Sequence, residues 1–72
     1  MERKLSTYYS DNNKGYAEVY FNFKEEYPFI RYYTNEGRLF YTEDFPEKTI
    51  RYAEDAAENW ALGIKKLEEF YH

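Results

Sequence analysis

The stretch DFPEKTIRYAEDAAENWALGIKKLEEFY, Asp44 to Tyr71, decides the fold, because it carries a helix start, a periodic apolar stripe and a charged back. Asp44 and Glu47 have capping-box spacing: one carboxylate accepts from a free backbone N–H of the first turn while the second acid reaches back. Asp stands here where the box uses Ser or Thr. Pro46 falls within the first turn, where its fixed φ suits a helix and its missing N–H is no loss. Ile50, Ala53, Ala57, Trp60, Ile64, Leu67 and Tyr71 then follow at alternating steps of three and four, one stripe of a helix. Ala56, Ala61 and Gly63 flank that stripe, and such small residues let a helix lie close on a sheet with Trp60 as the large plug. Arg51, Asp55, Glu58, Lys65, Lys66 and Glu69 make the opposite face, with Leu62 in its middle. The spacing predicts one long helix over residues 44–71.

What precedes it reads as the sheet that the helix covers. In Arg3 to Ser10, Leu5, Thr7 and Tyr9 alternate with Lys4, Ser6 and Tyr8, which is a strand pattern. Asn13-Lys14-Gly15 serves as a hairpin loop, with Gly15 in the left-handed position. Tyr16 to Lys24 is the clearest strand, with Ala17, Val19, Phe21 and Phe23 on one side and Glu18, Tyr20, Asn22 and Lys24 on the other. The loop choice sets Leu5 opposite Phe23, Thr7 opposite Phe21 and Tyr9 opposite Val19. Glu25-Glu26 as a two-residue turn sets Phe21 against Ile30 and Val19 against Tyr32, and Pro28 then falls near a strand start. Thr34-Asn35-Glu36-Gly37 turns the chain into a last strand, Arg38–Glu43, with Phe40 on the side of Ile30 and Tyr32. The expected buried face is Leu5, Tyr9, Ala17, Val19, Phe21, Phe23, Ile30, Tyr32 and Phe40. The expected fold is a two-layer α+β domain, a four-stranded antiparallel meander covered by one helix.

A chain of 72 residues holds a single small core, near the lower limit for folding alone. It contains no Cys, so neither a disulfide framework nor a thiolate metal site is available. Met1-Glu2-Arg3-Lys4 opens no apolar signal region, and no uncharged run reaches membrane-spanning length, which predicts a cytoplasmic protein with no membrane partner. Residues 1–42 hold six acids and six bases, whereas 43–72 hold eight acids and four bases, so the net charge of −4 sits in the helical part. An acidic helix repels phosphate backbones and disfavours nucleic acid on that side.

Aromatics make up 24% of the chain and ten of them are Tyr, far more than so small a core requires. The registers above send Tyr8, Tyr16, Tyr20, Phe29, Tyr33, Leu39 and Tyr41 to the face away from the helix, together with Glu18, Asn22, Arg31 and Glu43. One helix cannot cover both sides of a sheet, and a contiguous aromatic surface normally marks an interface. Tyr is also a good strand former whose hydroxyl keeps it soluble, so the bland reading is a solvated sheet. Length favours the interface. A helix over residues 44–71 would measure about 40 Å against about 25 Å for the strands, leaving Leu67, Phe70 and Tyr71 beyond the sheet unless the helix breaks at Gly63 or lies diagonally. The expectation is a non-enzymatic interaction module, a homodimer that buries Tyr8, Tyr20, Phe29, Arg31, Tyr33, Leu39 and Tyr41, the helix end at Leu67, Phe70 and Tyr71, or both.

Two other readings compete. Sheet-borne aromatics are stacking platforms for single-stranded nucleic acid, with Arg31 central and Lys4, Lys24 and Arg38 at the rims, although Glu18 and Glu43 oppose it. Alternatively the acidic helix back, Glu54, Asp55 and Glu58 around Leu62, docks on a basic protein or mimics nucleic acid. Catalysis has little material. The only His is the terminal His72, the Glu54/Glu58 and Asp55/Glu58 pairs come with no third metal ligand, and no cofactor is expected.

The segment Ile50-Arg51-Tyr52-Ala53-Glu54-Asp55-Ala56-Ala57-Glu58-Asn59-Trp60-Ala61-Leu62-Gly63-Ile64 resembles the ending of short uncharacterised proteins of marine cyanophages and marine metagenomes, in which an Ala-Glu-Asp…Glu-Asn-Trp…Gly pattern follows a few strands. The resemblance covers about a fifth of the chain and implies a phage accessory protein acting on a host partner in the host cytoplasm. It carries over no activity and no site residues. Helix packing alone also explains the segment, with small residues and Trp60 inward and acids outward.

Overall fold

Alternation is cleanest in the middle of the chain, and there the backbone follows it. The computed structural model describes residues 1–11 and 14–64. Strands β1 (Glu2–Tyr9), β2 (Tyr16–Asn22), β3 (Tyr27–Tyr33) and β4 (Leu39–Asp44) form one antiparallel sheet in the order β1-β2-β3-β4, followed by helix α1 (Ile50–Ala61). The α+β meander with one C-terminal helix is therefore as expected. Ala17, Val19, Ile30 and Tyr32 face the helix and are fully buried, packed with Ala53, Ala57, Trp60, Ala61 and Phe45. Full burial of a side chain such as Val19 or Ile30 contributes about 1.5–3 kcal/mol.

The registers differ from the expected ones in an instructive way. Between β2 and β3 the pairing is Val19↔Ile30 and Ala17↔Tyr32, a slip of two residues. A slip of two keeps every side chain on its expected face. It makes the connection a four-residue turn, closed by the Glu26 N–H donating to the Asn22 carbonyl at 2.7 Å, with Glu26 at φ 63°. Phe23 thereby leaves the strand and lies half exposed.

At β1 the phase is reversed. Tyr8 pairs with Ala17 and Tyr9 with Tyr16, and a bulge falls between Lys4 and Ser6. Tyr8 consequently packs against the core while Tyr9 points to the far side, and Leu5, the bulged residue, is exposed. The same happens in β4: Tyr41 pairs with Tyr32 and Glu43 with Ile30, and a bulge between Tyr32 and Tyr33 is taken up near Phe40. Tyr41 and Glu43 thus lie on the helix side, where the Tyr32 hydroxyl donates to Glu43 at 2.9 Å. Phe40 is left partly exposed, in ring contact with Tyr32.

The helix is shorter than expected. Asp44 ends β4, and Phe45, Pro46 and Glu47 lead into a turn in which the Lys48 N–H donates to the Phe45 carbonyl. The N-cap is Thr49, whose hydroxyl accepts from the Tyr52 N–H at 3.0 Å. At the other end Gly63, at φ 85°, closes a Schellman motif: its N–H donates to the Trp60 carbonyl and that of Ile64 to the Asn59 carbonyl. The chain thus leaves the helical path at Gly63. The expected continuation through Leu67, Phe70 and Tyr71 lies outside the described residues. The helix crosses β1, β2 and β3 and does not reach β4. Ala53 and Ala57 give it the close approach, and the Asp11 N–H from the β1–β2 loop donates to the carbonyl of Ala61.

Candidate interaction surface

Strand pairing fixes what the sheet presents on the side away from the helix, because directly opposed residues share a face. Across the four strands the rows are Tyr9, Tyr16, Tyr33 and Leu39; then Thr7, Glu18, Arg31 and Thr42; then Lys4, Tyr20, Phe29 and Asp44. Of the residues expected at an interface, Tyr20, Phe29, Arg31, Tyr33 and Leu39 come together here. Tyr8 and Tyr41 do not, since the two bulges turn them beneath the helix side. Leu67, Phe70 and Tyr71 are outside the described residues.

The first row is an aromatic ladder. The rings of Tyr9 and Tyr16 are 5.7 Å apart and those of Tyr16 and Tyr33 stack at 5.0 Å, while Leu39 flanks them on β4. Tyr9 is 72% and Leu39 48% exposed, so the apolar material is most open at the two ends of this row. Tyr9 was missed in the sequence because Tyr8 and Tyr9 are chemically identical neighbours, and alternation alone cannot say which points where.

The third row is closed over by its own neighbours. Tyr20 and Phe29 stack at 5.2 Å, and the Arg31 guanidinium lies over both rings, 4.7 Å and 5.1 Å from their centroids. Arg31 is held there by Glu2 at 2.7 Å. This arrangement leaves Phe29 only 5% exposed although no helix covers it. Burial disfavours the charge on Arg31, but its contacts with Glu2 and Tyr20 outweigh that and raise its pKa. Burial and the hydrogen bond that the Tyr20 hydroxyl donates to Glu18, 2.7 Å long, push the Tyr20 phenol up to about 12. Tyr33 is raised by burial and by the Glu18 charge. Lys4 completes the network with Glu18 at 3.5 Å.

Other candidates are less developed. Glu54 accepts from the Ser6 hydroxyl at 3.2 Å and is half buried, so it serves the fold, leaving Asp55 and Glu58 exposed on the helix beside Leu62. A depression lined by Tyr52, Asp55, Ala56, Asn59 and Ile64 runs along the helix with no base or nucleophile in it beyond one carboxylate. Among the described residues no cluster of His, Cys, Asp or Glu could hold a metal ion, and no helix is long and apolar enough to cross a membrane. No protein-family model matches the chain, and neither a curated protein nor a solved structure resembles it at a significant level, so the surface itself must carry the functional reading.

Proposed function

We propose that the chain is a small non-enzymatic interaction module that acts through the outer face of its sheet, and that the face is covered by a second copy of the same chain. The observation that carries this reading is the ladder Tyr9–Tyr16–Tyr33 running across three strands and ending in open Tyr9 and, on β4, open Leu39. A connected aromatic row with exposed ends favours a partner over single solvated tyrosines. Closed two-fold dimers are the commonest oligomers.

The sheet edges support a face over an edge as the contact. β1 carries Glu2, Arg3 and Lys4 with a bulge at Leu5, and β4 is short, bulged near Phe40 and ends in Glu43 and Asp44. Charges and bulges of this kind block strand addition. A four-stranded sheet at about 4.8 Å per strand and about 3.3 Å per residue offers a footprint of roughly 500 Å² per subunit, the low end for a specific contact, so the dimer is weak and concentration-dependent.

Single-stranded nucleic acid is the second reading, favoured by the Arg31 guanidinium over stacked rings. Arg31 is engaged by Glu2 and Lys4 by Glu18, and these acids sit where phosphates would have to lie. A role on a host partner in an infected cell, which the helix resemblance implies, would use the same face. Sedimentation of the whole chain at micromolar to hundred-micromolar concentration tests the reading. The expected result is a mass rising from 8.9 kDa toward its double, lost in a Tyr9→Ser, Leu39→Ser variant of unchanged circular dichroism. A constant monomer mass overturns it, and a salt-sensitive shift with a labelled oligonucleotide would install the second reading in its place.

A further inference from the structure

In the two rows that carry them, four charged positions of the outer face alternate in sign from strand to strand, and Glu2 at the start of β1 adds a further acid on that face, paired to Arg31. Lys4 lies on β1, Glu18 on β2, Arg31 on β3 and Asp44 on β4, with Glu18 directly opposite Arg31 and the Lys4 and Asp44 positions at the two ends of the neighbouring row. A partner of one sign, whether a phosphate backbone or a uniformly acidic or basic protein, meets like charge on every second strand. A second copy need not, and which two-fold axis relates the copies decides the outcome.

Two axes within the interface plane are simple to compare. An axis across the strands through the Glu18–Arg31 row sets each residue of that row over its own counterpart, Glu18 over Glu18 and Arg31 over Arg31. An axis along the strands, between β2 and β3, sets β2 over the second copy's β3 and β1 over its β4. Glu18 then faces Arg31, Lys4 faces Asp44, Tyr16 faces Tyr33 and Tyr20 faces Phe29, each contact occurring twice as a two-fold interface requires. Like charges opposed across an interface cost several kcal/mol, whereas complementary ones fix register.

Building on the proposed homodimer, we infer that two copies stack outer face to outer face about a two-fold axis parallel to the strands, with Glu18 of each copy set over Arg31 of the other and Lys4 over Asp44, so that the in-chain Lys4–Glu18 and Glu2–Arg31 pairs are extended into a network across the interface. The same pattern predicts that the face rejects nucleic acid and chooses its own kind. It also explains why a surface with so many rings carries a charged row through its middle: the aromatic rows supply contact area and the charged row supplies the register.

Exchanging the charges within one chain tests this while keeping an acid–base neighbour pair on β2 and β3 inside each subunit. The Glu18→Arg, Arg31→Glu double variant, carried together with Glu2→Gln and Lys4→Gln so that the in-chain partners of positions 31 and 18 do not become like-charged, should dimerise with itself, since both Glu18–Arg31 facing pairs are reversed together. Mixed with isotopically labelled wild-type chain and read by native mass spectrometry, it should self-sort, with mixed dimers well below the statistical half. In a mixed dimer the wild-type Glu18 meets a carboxylate and the wild-type Arg31 meets a guanidinium, so both facing pairs are of like charge. Mixed dimers at or above the statistical share overturn the axis while leaving the homodimer intact. Wild type that stays monomeric in the same measurement overturns the homodimer itself. If the double variant does not fold, the single variants Glu18→Gln and Arg31→Gln each serve: both should weaken dimerisation by about tenfold or more, and unchanged dimerisation in both overturns the pairing.

Discussion

The indole of Trp60 meets the ring of Tyr32 edge-on, centroids 5.1 Å apart and planes inclined by 66°. That contact joins the only tryptophan of the chain to the largest fully buried side chain of the sheet. Trp60→Ala removes the plug between the alanines and should cost about 3–5 kcal/mol. A domain of this size has about 4–11 kcal/mol in total, so the loss takes up a large part of it. The variant should therefore unfold at a much lower urea concentration than the wild type, as followed by circular dichroism. Tyr32→Phe keeps the ring and loses only the hydroxyl bonded to Glu43, so urea unfolding followed by Trp60 fluorescence should show a loss of about 1 kcal/mol.

Gly15 sits at φ 133° with its missing side chain aimed at β3: a Cβ there would lie 1.9 Å from the Tyr33 carbonyl oxygen and 2.9 Å from its carbon. Both are backbone atoms and cannot swing away. Gly37, at φ 85°, would bring a Cβ no nearer than 3.6 Å to the Tyr16 hydroxyl. Gly15→Ala should therefore disrupt the β1–β2 end of the sheet and abolish cooperative unfolding, whereas Gly37→Ala should cost only the left-handed strain of about 1–3 kcal/mol.

Thr49, and not Asp44, caps the helix. Thr49→Ala should lower stability by about 1 kcal/mol. Glu47 lies in the preceding turn and is exposed, so Glu47→Ala should change it by less than about 0.5 kcal/mol, the usual size for a surface substitution. Parallel urea titrations of the two variants check the ordering.

The Tyr20 phenol ionises near 12 in the fold against an ordinary 10.0, and burial is the larger cause, followed by its hydrogen bond to Glu18. A raised pKa means that folding favours the neutral form. Its contribution is complete below pH 10 and is lost as the pH rises through about 12. Stability should thus fall across that alkaline window, and Tyr33 and Tyr41, also raised by burial, act in the same direction. Tyr20→Phe should flatten the fall, as measured by urea unfolding at successive alkaline pH values.

The parts of the fold that were legible in the sequence are those where only one periodicity was possible. Ala17, Val19 and Phe21 alternate against Glu18, Tyr20 and Asn22, so β2 could slip only in steps of two, which left Phe29, Arg31 and Tyr33 on the outer face. β1 offered Tyr8 and Tyr9 as equal choices, and the bulge at Leu5 settled the phase by a backbone event that composition does not encode. β4 began Leu39-Phe40-Tyr41, apolar on both faces, and a second bulge settled it the same way. At the helix the acid and proline signals of Asp44, Pro46 and Glu47 were real turn chemistry displaced from the cap by one further turn, and Thr49 with its hydroxyl was the stronger candidate. Gly63 ended the helix as its conformational freedom allows, which removed the length on which an overhanging helix end rested.

Tyrosine nitration as a function of protein concentration, read peptide by peptide, tests most directly whether a second copy covers the outer face. Tyr52, half exposed on the helix and remote from that face, is the internal control. Dimerisation through the sheet predicts that Tyr9, Tyr16 and Tyr33 become protected together as the concentration rises through the micromolar range while Tyr52 keeps a constant rate. Equal reactivity of Tyr9 at every concentration, in parallel with Tyr52, would contradict it.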